Sequence, residues 1–195
     1  MTTRSARAPG ALALILAAVA ACGGSASGSS PAPATPEADA TVAPSRAAAT
    51  PSTSGPLEDL VPDEVGGITL TKSVVHGPDI GELDPEEAAN FGKVLENVDG
   101  PPEAFTAVSG TGDGLAVAAW RMEGTDGGQL GDAFIGFVKG VGAAEVEDVT
   151  IGGKEMRRVT PANTTPIHIY VTGEVMFIVQ AEDPELVEEA FALLP

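Results

Sequence analysis

"VEDVTIGGKEMRRVT", residues 146–160, sets two runs rich in β-forming residues on either side of Gly152-Gly153. Adjacent glycines supply the positive φ angles that a two-residue hairpin turn requires, so the stretch reads as two antiparallel strands. The device recurs on both sides of it. Downstream, "IHIYV" (167–171) and "VMFIVQ" (175–180) flank Thr172-Gly173-Glu174; upstream, "FTAVS" (105–109) and "LAVAAWRME" (115–123) flank "GTGDG". Consecutive hairpins need no crossover connections, and they predict a largely antiparallel sheet.

Helical spacing fills the intervals. In "LDPEEAANFGKVLENV" (83–98), Asp84 is placed to cap a helix, Pro85 to open its first turn and Glu87 to close a capping box. Ala88, Phe91, Leu95 and Val98 then fall on one stripe. "GGQLGDAFIGFVKGV" (127–141) aligns Leu130, Phe134, Phe137 and Val141, although its glycines weaken the helix. "DPELVEEAFALL" (183–194) repeats the Asp-Pro-Glu start and turns Leu186, Ala190 and Leu193 inward. Before all of these, Ile68, Leu70, Lys72 and Val74 alternate with Thr69, Thr71 and Ser73, as in a half-buried strand. The order is strand, helix, hairpin, helix, two hairpins, helix. It predicts one α+β domain over residues 57–195, a largely antiparallel sheet built from hairpins with about three helices packed on it.

Charge narrows the choice of partners. The chain carries a net charge of −18, and from residue 57 onward 7 Lys and Arg face 26 Asp and Glu. Neutralising phosphates needs clustered cations, so nucleic acid is excluded as a partner; a protein or other envelope partner would have to present a basic patch. Which small ligand, if any, the domain takes is not written in the composition. One cysteine, Cys22, rules out an internal disulfide and the thiolate clusters typical of structural zinc.

The same cysteine sits at the end of an N-terminal pattern. Arg4 and Arg7 precede "ALALILAAVAA" (11–21), an apolar run too short to span a bilayer and of the length of a signal-peptide core. Val19-Ala20-Ala21-Cys22 resembles the lipobox of bacterial lipoproteins, and the resemblance covers residues 1–22 only. It implies a signal peptide over residues 1–21, diacylglyceryl transfer to the Cys22 sulfur and cleavage before Cys22. Such a protein is extracytoplasmic and held to a bacterial membrane by lipid. Residues 22–56 are rich in Pro, Ser, Ala, Thr and Gly without hydrophobic period, which reads as a disordered tether. A flexible chain of roughly 34 residues has a mean reach of about 30 Å.

The domain offers few chemical motifs. "SGTGDG" precedes a strand where a dinucleotide loop would open a helix, and "IGGKE" lacks both the upstream glycine and the Ser or Thr of a P-loop, so both read as turns and no cofactor is implied. The candidate polar residues are His76 with Asp79, which could accept its proton or share a metal, and His168, placed by its alternation with Ile167 and Ile169 toward solvent or a neighbouring strand. Trp120 continues the strand face of Ala116, Ala118 and Met122 and reads as core. The acids between Glu182 and Glu189 lack calcium-loop spacing and read as a solvated helix face. Three function classes stay open. A non-catalytic binding or assembly module needs only a surface. A small-ligand or lipid carrier needs an apolar cavity of roughly 300 Å³ or more between sheet and helices. A hydrolase needs His76 or His168 beside a nucleophile such as Ser73 or Ser109.

Overall fold

The computed structural model describes residues 55–162 and 164–195, and Cys22, the lipobox-like stretch before it and nearly all of the segment 22–56 read as a tether lie outside them. Strands β1 (Glu64–Val65) and β2 (Ile68–Thr69) form a small hairpin of their own. The main sheet comprises β3 (Thr71–His76), β4 (Phe105–Gly112), β5 (Leu115–Met122), β6 (Ala144–Ile151), β7 (Lys154–Pro161), β8 (Ile167–Thr172) and β9 (Val175–Ala181). Every neighbouring pair is antiparallel, in the order β3-β4-β5-β9-β8-β7-β6. At the decisive hairpin, Gly152 and Gly153 have φ of 59° and 79°, the left-handed values that match a tight turn to the twist of its strands. The α+β architecture read from the sequence is the one observed.

The helices are α1 (Pro85–Leu95), α2 (Gly127–Val141) and α3 (Pro184–Leu193). Each starts on an aspartate whose carboxylate accepts a backbone N–H two residues on: Asp84 from Glu86, Asp126 from Gly128 and Asp183 from Glu185. The expected capping box does not close. Glu87 is turned into the interior, with Oε1 buried and unpartnered, because it heads the same stripe as Phe91 and Val94.

Helices cover both faces of the sheet. α1 and α2 lie on one, where Phe91, Phe105 and Phe134 pack around Trp120 with ring centroids 5.3–5.5 Å from it. Each such aromatic pair is worth about 0.5–1.5 kcal/mol beyond burial alone. On the other face, α3 and a 3-10 turn at Leu57–Leu60 enclose a second core that includes Leu57, Phe177 and Phe191. With both faces covered, alternation no longer separates inside from outside, and all seven residues of β9 are buried.

Several local expectations change accordingly. The first strand breaks at Leu70 into β2 and β3. Val141 is 47% exposed and Leu193 57%, because Val138 and Leu194 take the inward positions in the last turns of their helices. His168, placed by its alternation toward solvent or a neighbouring strand, is buried beneath α3.

Candidate functional site

His76 closes β3 at an exposed corner of the sheet, immediately before the 3-10 turn Gly77–Glu82 that carries Asp79. Its Nδ1 lies 3.4 Å from the Thr106 hydroxyl on the neighbouring strand, so its polar contact is with β4 and not with Asp79. No group of three or more His, Cys, Asp or Glu able to hold a metal occurs among the described residues, and the His76–Asp79 pair is not extended into one.

The two candidate serines sit directly opposite each other, Ser73 on β3 and Ser109 on β4. Ser109 is fully buried, with an unpartnered Oγ. Strand alternation decides their chemistry. Val75 and Ala107 belong to the α1–α2 core, so Ser73 and Ser109, two positions away on their own strands, face that side. Val74 packs on the α3 side, which fixes His76 there; Ile167 and Ile169 face α1 and α2, which sends His168 toward α3. Neither serine shares a sheet face with either histidine, so the arrangement a serine hydrolase would need is not assembled from these four residues.

His168 lies edge-on to Phe191, with ring centroids 6.3 Å apart, and its Nδ1 has no hydrogen-bond partner. Burial first, and then the Arg158 guanidinium on β7, lower its pKa from the ordinary histidine value, while a backbone hydrogen bond at Val179 opposes them. The imidazole is therefore held neutral inside an aromatic cluster completed by Tyr170 and Phe177. Trp120 is core, as its strand face predicts. Glu87 shows the opposite shift to His168, its pKa raised by burial and then by the Asp84 carboxylate. The acids Glu182, Asp183, Glu185, Glu188 and Glu189 are all exposed at the start and outer face of α3.

A concavity that the motifs did not announce lies between α1 and α2. It is an open groove of about 770 Å³. Along α2 its floor is Ala133, Phe137 and Val141, with Gly136 and Gly140 between them; the space a Cβ would occupy at either glycine is empty to 4 Å. Lys93 of α1 and Glu96 at its C-cap, together with Asp99 and Asp132, supply charge at the rim. The groove opens between the helices at the surface and is not an apolar cavity between helices and sheet. A smaller recess of about 210 Å³ lies at the β4–β5 turn beside Thr165 and Gln180.

No protein-family model, curated protein or solved structure matches the chain. The one sequence signal of the groove was the four-residue spacing of Gly136 and Gly140, glycines that cost helix stability without a packing reason. No helix among the described residues is long and apolar enough to cross a membrane.

Proposed function

We propose that this chain is a lipid-anchored, extracytoplasmic protein of a bacterial cell envelope, whose folded region is a non-catalytic binding or assembly module. The Val19-Ala20-Ala21-Cys22 lipobox supports the anchor, and the segment after it supports a tether. Acidity supports standing off the membrane, since an anionic lipid surface repels a domain with this charge. That repulsion fades beyond a Debye length of about 8 Å, well inside the tether's reach.

The observation that carries the binding reading is the α1–α2 groove. Its floor combines exposed Val141 with bare helix backbone over the buried Ala133 and Phe137, and two carboxylates, Glu96 and Asp99, stand at its rim against Lys93, while Asp132 is paired with Arg157. Such a surface suits an apolar group borne by a cationic partner.

Two measurements on the membrane-anchored full chain test the proposal. Mass spectrometry of the membrane fraction is expected to find Cys22 acylated, and Cys22→Ser to release the protein. A photo-crosslinking residue placed at Gly136 is expected to give a discrete adduct that fades as salt rises, while one at exposed Glu185 gives none. An unmodified Cys22 in the mature protein would end the anchoring half of the proposal. Equal labelling at positions 136 and 185 would end the binding half.

A further inference from the structure

One of the two edge strands of the main sheet, β6, offers a surface distinct from the groove. It pairs with β7 along all eight of its residues, and among the described residues no strand pairs with its other edge. The turn fixes which backbone groups are spare. In a two-residue hairpin the closing pair, here Ile151 and Lys154, exchanges both hydrogen bonds, and bonded and non-bonded pairs alternate from there. Ala143 O accepts from Ala162 N at 3.0 Å, which puts the odd-numbered residues on the bonded side at the far end too. Pro161, which has no N–H, stands opposite Ala144, a pair that exchanges none. Ala144, Val146, Asp148 and Thr150 therefore direct their N–H and C=O groups outward, a row of donors and acceptors ready for another strand.

Side chains state what that strand should be. Glu145 and Asp148 are exposed and make no ion pair among the described residues, since Glu145 lies opposite Thr160, and Arg157, opposite Asp148, pairs with Asp132 on α2. Glu147 shows the preferred partner from the inner side, taking two hydrogen bonds from the Arg158 guanidinium directly across. Between the acids, Ala144, Val146, Val149 and Ile151 are only half-buried, so an added strand would cover them. A second copy of β6 would set these acids against one another and is disfavoured.

We infer that the free edge of β6 takes up an extended basic segment of a partner protein as an additional antiparallel strand, with cations opposite Glu145, Glu147 and Asp148 and aliphatic residues opposite the rest.

The probe is a capped octapeptide, Ile-Thr-Val-Lys-Arg-Val-Lys-Val, added to the full chain carrying Cys22→Ser and followed by amide hydrogen exchange. The Ala144, Val146, Asp148 and Thr150 amides exchange fast in the free protein and are expected to slow at least about tenfold at saturation, with affinity falling as salt rises. The same peptide with glutamate for each cation is expected not to protect them. Glu145→Gln with Asp148→Asn should weaken binding about fivefold or more while leaving the fold unchanged. Val146→Pro removes an outward N–H that the sheet does not use and should abolish binding. Unprotected outward amides at saturating peptide would overturn the inference, as would protection confined to α1 and α2, equal protection by the acidic peptide, or a chain that already dimerises through β6 without any peptide.

Discussion

His168 shows how a side chain that titrates at physiological pH becomes a structural group. It is 7% exposed, lies under Phe191, and has its pKa lowered by burial and by Arg158. An unfolded chain would bind a proton at this residue near pH 6.5, whereas the folded chain resists it to lower pH. Below about 6.5 the unfolded state therefore binds more protons than the native state, and stability must fall as pH drops through that window. Glu87 has the opposite sign, because its raised pKa favours the protonated folded form in more acidic solution. Comparison with His168→Leu separates the two. Thermal midpoints from pH 7.5 to pH 5 should decline more steeply for the native chain than for the variant. Parallel curves would remove His168 as the source.

Helix α2 carries a cost that its own packing does not explain. Alanine at Gly136 or Gly140 would meet nothing within 4 Å, and each glycine lowers helix stability by about 0.5–1 kcal/mol relative to alanine. Gly136→Ala and Gly140→Ala should each raise the denaturant midpoint with an unchanged slope; a lower midpoint would mean that the groove is already filled by the chain itself. Turns, strands and two of the three helix starts were legible in the sequence because their chemistry is local: Gly152-Gly153, Thr172-Gly173-Glu174 and the aspartates Asp84 and Asp183 each act within a few residues. The face each strand presents was less legible. Local alternation assumes one dry face, while α3 and the turn at Leu57–Leu60 close the second face from distant parts of the chain. That is why His168, read as facing solvent or a neighbouring strand, lies under a helix. The groove escaped notice for a related reason, since it exists only where α1 and α2, far apart in sequence, lie side by side.

The sheet as a whole is assembled from two continuous stretches of chain, β3-β4-β5 before α2 and β6 to β9 after it, joined only where β5 pairs with β9. The helices cross that seam. α2, from the first stretch, lies over β7, β8 and β9 of the second, and α3, from the second, reaches back to β1, where a Cβ at Gly66 would strike Leu186. The second stretch thus lacks the cover of α2, while the first keeps α1, α2 and the turn at Leu57–Leu60 but loses α3 at β1 and the pairing of β5 with β9. Chains cut in the link between α2 and β6, at Gly142, would behave as halves of a split reporter. Residues 1–142 and 143–195, produced separately, should each lack the native circular dichroism spectrum and regain it on mixing, so that two fused proteins brought together could be detected by the reassembly of this sheet.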